Sequence, residues 1–204
     1  GTMGDLWAKN ELALDENGYY YIDPASGTLA SVATEKKLGS VLPKWNLGFR
    51  NDFSWKGINL GVLITARLGG IVSSHTQAIL DGYGVSKASA YLRDAGGIPV
   101  NNGIMDTQTW FQTVGLGQGM SHYIYSATNV RLQELSLGYS LPSEWFNNKV
   151  RVKASFVGRN LWMIYCKAPF DPELTASTGT FMQGIDYFMQ PSLRSLGFNI
   201  QLRF

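Results

Sequence analysis

The sequence is short of several things at once. It holds one cysteine, Cys166, which excludes an internal disulfide framework and a cysteine-based zinc site. Charged residues make up 16% of it, against roughly 25% in ordinary soluble domains. The net charge is only +2 and the basic residues are spread out, so a nucleic-acid partner is not expected. No run approaches the ~18 consecutive apolar residues of a membrane helix. Gly1 to Trp7 has no basic segment followed by an apolar one, as a secretory signal would. These absences invite the reading of a soluble protein, and that inference is unsafe. A membrane strand needs only about 9 to 11 residues of alternating polarity and leaves almost no trace in hydropathy.

Catalytic signals are equally scarce. His75 and His122 lie in separate stretches with no acid, serine or cysteine at motif spacing, so neither a metal site nor a triad is expected. Gly115-Leu116-Gly117-Gln118-Gly119 lacks the flanking strand and helix of a phosphate or dinucleotide loop. Asp171-Pro172-Glu173 offers two acids, too few to hold calcium. No acid pair stands at a spacing that suggests glycoside hydrolysis. An enzyme is not expected, nor is a cofactor.

What the sequence has in quantity is glycine, aromatic residues and alternation, and these point to an all-β protein. Five segments alternate in polarity with period two, as a strand with two different faces does. In Leu47 to Lys56 one face reads Leu47, Phe49, Asn51, Phe53, Trp55 and the other carries Arg50, Asp52 and Lys56; Asn51 alone breaks the pattern. Past Gly57, the residues Ile58, Leu60, Val62, Ile64 and Ala66 lie opposite a face that ends in Arg67, and the near absence of a link predicts a tight hairpin. From Asn129 to Ser140 the alternation slips at Gln133-Glu134, which predicts a β-bulge. Val150 to Leu161 sets Val152 and Phe156 opposite Arg151, Lys153 and Arg159. Leu196 to Phe204 sets Phe198, Ile200 and Leu202 opposite Gly197, Asn199, Gln201 and Arg203.

The connections alternate in length. Short ones fall at Lys56-Gly57 and Leu141 to Lys149, long ones at about residues 68–128 and 162–191. Structureless loops beyond ~15 residues are uncommon in compact domains. Short turns at one end of a sheet and long loops at the other are the pattern of an outer-membrane barrel. Within the long stretches, Tyr19 to Ile22 and Thr28 to Val32 read as a small hairpin, and Thr76 to Leu80 and Ser86 to Asp94 as short helices. Aromatics gather near strand ends: Trp55, Tyr139, Trp145, Phe146 and Phe204 at the short-turn end, Phe49, Trp162 and Tyr165 toward the other. Tyr and Trp favour a membrane interface, where the ring meets apolar matter and its polar group meets water. Core packing is the alternative.

Six blocks, in order and spacing, resemble the SusC/RagA group of TonB-dependent outer-membrane transporters: Leu38 to Trp45, Phe53 to Leu60, Val130-Arg131-Leu132 leading to Leu137-Gly138-Tyr139-Ser140-Leu141-Pro142, Gly158-Arg159-Asn160-Leu161, Asp171-Pro172-Glu173, and Leu196 to Ile200. The resemblance implies the C-terminal antiparallel strands of a transmembrane β-barrel, about five of roughly 22, with residues 1–46 an extracellular loop segment and 47–204 barrel strands with two long loops. The remaining strands, the plug and the TonB-contacting segment are not in this sequence, so a fragment, a truncated product or one piece of a split barrel is expected. The implied partners are the rest of the barrel and its plug, a SusD-like surface lipoprotein, TonB and outer-membrane lipid; the implied substrates are glycan or peptide fragments. On this reading Arg50, Asp52, Lys56, Arg67, Arg151, Lys153, Arg159 and Arg203 line the lumen. Leu60, Val62, Ile64, Val152, Phe156, Phe198, Ile200 and Leu202 meet lipid. Gly197, Ile200, Leu202 and Phe204 belong to a terminal barrel-assembly signal. A soluble β-sandwich that binds carbohydrate or serves adhesion is the competing reading, with the polar faces merely solvated.

Overall fold

A computed structural model describes the chain except residues 118, 148, 175, 177–181 and 204 and the side chain of Phe146. In chain order the strands are β1 (Asp5–Leu12), β2 (Ser31–Ser40), β3 (Trp45–Trp55), β4 (Ile58–Leu68), β5 (Ile71–Ser74), β6 (Ile98–Val100), β7 (Gly103–Met105), β8 (Ile124–Ser126), β9 (Asn129–Ser140), β10 (Arg151–Cys166), β11 (Ile185–Asp186) and β12 (Ser195–Arg203). Three helices, α1 (His75–Gly82), α2 (Lys87–Asp94) and α3 (Thr107–Leu116), fall between β5 and β8. The chain divides into two compact units: residues 1–42, 70–126 and 173–190 form one, residues 43–69, 127–172 and 191–204 the other.

The second unit is a five-stranded antiparallel sheet in the order β12-β10-β9-β4-β3, a meander in which each strand pairs with the next of the set. Its strands are the five alternating segments. The main differences are at the ends: β3 begins at Trp45, and β10 runs on to Cys166, past the expected end at Leu161. The β3–β4 hairpin turns on Lys56 (φ 46°) and Gly57 (φ 85°), the two positive-φ residues that a two-residue hairpin requires. A side chain at Gly57 would also meet the Ser140 carbonyl oxygen at 2.9 Å. Ser140 N–H donates to the Gly57 carbonyl oxygen (2.7 Å), and Asn59 Nδ2 donates to that same carbonyl and to Ser140 Oγ. The slip at Gln133 is a bulge: Leu63 pairs with Glu134 and Ile64 with Leu132, so Gln133 has no partner on β4. The sheet's two long links, after β4 and after β10, leave and return at one end, as the meander requires.

The first unit has a hydrophobic core of its own, centred on Trp110, Phe111, Val114 and Tyr123 with Leu29, Ala78, Ile98, Val100 and Met105. Its helices start where short polar side chains accept backbone N–H groups: Ser74 from Gln77, Ser86 from Ser89, Asp106 from Gln108 and Thr109. Tyr20 packs on Trp110 with ring centroids 4.4 Å apart. Both short helices expected from sequence are present, as α1 and α2, and the small hairpin is present with Ile22 bridged to Leu29. The β1–β2 pair, the three-stranded arrangement β11-β5-β8, and α3 were not anticipated.

Candidate functional site

Register decides what each face of the five-stranded sheet carries, because residues directly opposite on neighbouring strands point the same way. Leu60 stands between Phe53 and Leu137, Val62 between Asn51 and Leu135, and Ile64 between Phe49 and Leu132. Leu137 is opposite Phe156, which is opposite Phe198; Ala154 is opposite Ile200 and Val152 opposite Leu202. One face is thus apolar across all five strands, interrupted by Asn51. The bulge makes this possible, since it brings Val130 and Leu132 onto the same side as Leu135, Leu137 and Tyr139 despite the slip in alternation. The face is bare: Phe49 is 60% exposed, Phe198 68% and Ile200 59%. Soluble monomers rarely show a contiguous apolar patch of more than a few hundred Å².

The opposite face carries Arg50, Asp52, Arg67, Arg151, Lys153, Arg159 and Arg203, with Leu63, Val157 and Met163 as apolar exceptions. Arg50, Leu63, Glu134 and Arg159 form one row across four strands. Glu134 accepts from Arg159 Nε at 2.9 Å and lies 3.8 Å from Arg50 Nη1, while Arg50 also pairs with Asp52 at 2.8 Å. Gly61 leaves room in the next row, where a Cβ would come within 2.9 Å of Asp52 and closer still to Ser136 Oγ. Near the short-turn end Arg151 faces Arg203 across β10 and β12 and, with Lys153, lines a crevice of about 360 Å³. Lys56 departs from expectation. It sits in the hairpin turn rather than on a strand face, and its ammonium lies 5.0 Å from the Trp55 ring centre. Of the terminal signal, Gly197, Ile200 and Leu202 lie on β12, and Phe204 is outside the described residues.

Two functional groupings escaped sequence reading. Glu134, treated only as the marker of a slip, is the acid between two arginines; the phase of the residues after the bulge puts it on the polar face, and register alone puts it opposite Arg159. Asp171, set aside as half of a weak calcium motif, is an anchor: it pairs with Arg131 Nη2 at 2.8 Å, both side chains under a tenth exposed, and accepts from Ser192 Oγ. No spacing rule signals a contact across forty residues.

In the first unit the helices border an open crevice of about 310 Å³ lined largely by aromatic residues, with Asp81 among them. Tyr123 is buried there. Burial, followed by the charge of the neighbouring Asp81 carboxylate and contact with it, pushes the phenol above its usual pKa. His75 is held below its usual pKa by burial, against the pull of Asp186. His75 and His122 lie in α1 and in a short 3-10 turn, and no group of three or more His, Cys, Asp or Glu able to hold a metal occurs among the described residues. The glycine-rich run is the end of α3 and the residues after it, with Gln118 outside the described residues.

The chain is 27% identical, over 93% of its length, to TonB-dependent receptor P3 of Formosa agariphila. The fold matches the RagAB peptide transporter with a TM-score of 0.66 at 19% identity, over 98% of this chain. The SusC/RagA resemblance is borne out. The RagAB peptide importer in its open-open state gives a TM-score of 0.61 at 20% identity over 96% of the chain, so fold and sequence point the same way. No protein-family model matches. The chain spans 19% of the length of the Formosa receptor and 22% to 24% of the RagAB chains. The fold is that of the matching strands and links in those RagAB chains, with five antiparallel strands in one sheet.

Proposed function

We propose that this chain forms part of the wall and the substrate-facing loops of a TonB-dependent outer-membrane importer of glycan or peptide fragments. The observation that carries the reading is the register-built apolar face, continuous from β3 to β12 and, among the described residues, uncovered by any second sheet of its own unit. A soluble sandwich would bury that face against a partner sheet; lipid covers it at no cost in polar contacts. The polar face then lines the lumen, where its charged rows meet water or the plug. The short turns face the periplasm, and residues 1–46 and the two long links face outward. The remaining barrel strands and plug, a SusD-like surface lipoprotein and TonB are the partners, and outer-membrane lipid is the solvent of the apolar face.

The test is the complete protein in its host. The expected result is fractionation with the outer membrane, electrophoretic migration that changes on heating, and loss of uptake of one class of oligomer when the gene is deleted. A complete protein found in the soluble periplasm, folded without detergent, overturns the reading.

A further inference from the structure

The polar face of the five-stranded sheet balances its charge in one place and not in another. Midway along the strands Glu134 stands between Arg50 and Arg159, and Asp52 pairs with Arg50. At the short-turn end the cations stand without acids. Arg151 and Arg203 are register partners across β10 and β12, so both side chains leave the same face side by side, and like charges placed directly opposite destabilise a sheet. Lys153, two residues along β10, faces Ser140 on one side and Gln201 on the other. Gly138 leaves space for its stem, since a Cβ there would lie 3.3 Å from Lys153 Cε. The three cations border one crevice of about 360 Å³ with Ser140, Ser143 and Gln201, and no acidic side chain lines it among the described residues. Neither Arg151 nor Arg203 makes an ion pair among the described residues, and neither does Glu144 in the turn that follows Ser143. Asp52, already held by Arg50, is the acid within electrostatic reach of Lys153. A cleft lined by one sign of charge concentrates the opposite sign, and the planar guanidinium forks match carboxylates two bonds at a time.

We propose that this crevice seats an acidic stretch of the protein's own plug, with two or more Asp or Glu carboxylates between Arg151, Lys153 and Arg203. The proposal rests on the importer reading, which puts this end of the polar face at the periplasmic mouth of the lumen, where the plug is the neighbour. Lipid lies against the other face of the sheet, and substrate enters from the end with the long links. A free monovalent anion would leave two of the three cations unanswered. A tethered segment instead presents several carboxylates together, at the high effective concentration of an intramolecular partner. The hydroxyls of Ser140 and Ser143 and the Gln201 amide then supply hydrogen bonds around the ion pairs.

The experiment uses the complete protein in detergent. A water-soluble carbodiimide couples Lys153 Nζ to any carboxylate in contact with it, and mass spectrometry of the digest identifies the partner. The expected product is an amide between Lys153 and an Asp or Glu encoded upstream of Gly1, within the plug. No linkage to the plug, or linkage to Asp52 or Glu144 alone, overturns the proposal, and this readout needs no variant to fold. The second readout is proteolysis of the plug in the double variant Arg151→Gln with Arg203→Gln, with the heat-modifiable barrel as the check on folding. Proteinase K should cut the plug at least about fivefold faster than in the unaltered protein, as expected when charge pairs that hold a segment closed are lost. Arg151→Lys with Arg203→Lys keeps the charges and should restore most of the protection. Unchanged cutting in the folded glutamine variant overturns the proposal. Calorimetry with inorganic phosphate tests the other occupant: tight binding that the glutamine pair abolishes marks an open small-anion site and overturns the plug assignment. If the complete protein is an outer-membrane importer with a plug and Lys153 links to no plug carboxylate, this inference alone fails. If no plug is encoded upstream, the importer reading fails and this inference fails with it.

Discussion

At the scale of single residues, Gly57 and Asp171 hold more of the structure than their size suggests. Gly57 combines a φ of 85° with a carbonyl oxygen 2.9 Å from where a Cβ would be, so Gly57→Ala brings both the left-handed penalty of roughly 1 kcal/mol and a backbone clash. The complete protein carrying it should lose about 1 to 3 kcal/mol in denaturant titrations. Asn at the same position, which tolerates positive φ better, meets the same Ser140 oxygen and should rescue little. Asp171→Ala leaves Arg131 buried beside a lost partner, a change that costs about 3 to 5 kcal/mol where a buried pair is broken. Its readout is faster hydrogen exchange and protease cutting in the link between β10 and β12, with the strands unaffected. Asp5 supplies a pH test. Lys37 Nζ at 2.8 Å and the Thr2 N–H hold its carboxyl down at about 2. A carboxyl depressed on folding stabilises above its unfolded value of roughly 3.9 and loses that contribution as pH falls through the folded value. The β1–β2 tie should therefore persist at pH 4 and weaken toward pH 2, followed by carboxyl carbon chemical shifts. In Lys37→Gln the midpoint should rise.

At the scale of the element, each strand has two faces that tolerate opposite substitutions. Ile200 lies near the middle of β12 on the apolar side, and Asn199 is its neighbour on the polar side. An arginine on the lipid face costs ~2 to 4 kcal/mol near the bilayer midplane. Ile200→Arg in the complete protein should sharply reduce the yield of folded, heat-modifiable protein in the outer membrane. Asn199→Arg should leave that yield close to normal. Equal yields from the two variants would count against a lipid-facing side. The alternation that sets up this contrast was legible residue by residue, and so was the bulge at Gln133, because a strand has a period of two and a single insertion shows as a change of phase. Strand ends were less legible. Trp162 to Cys166 continue β10, yet beyond Asn160, which has a φ of 50°, the alternation pairs Trp162 with Ile164 and Tyr165 and loses its contrast. The loop unit was the least legible. Its helices are short and its core is assembled from two stretches of chain separated by β3 and β4, so no local periodicity announces it.

At the scale of the whole molecule, the sheet is unfinished. Among the described residues β3 and β12 each have one neighbour, which leaves a row of backbone groups unpaired on both edges. Hydrocarbon supplies no water to satisfy such groups, and a barrel with a packed interior needs about eight strands. These residues expressed alone should therefore aggregate without detergent, or pair edge to edge, and should lack the heat-modifiable compact form that the complete protein shows. A monodisperse, water-soluble monomer of these residues would sink the barrel-wall reading of the sheet. The sequence by itself determined the two-faced strands, the order of short and long connections and the family resemblance, because period-two polarity and turn chemistry are written in neighbouring residues. Only the tertiary structure decided that Glu134 stands between Arg50 and Arg159, that Arg131 is anchored by Asp171, and that Asp81 lies against Tyr123. Those groupings join residues tens of positions apart, and chain closure, not local pattern, brings them together.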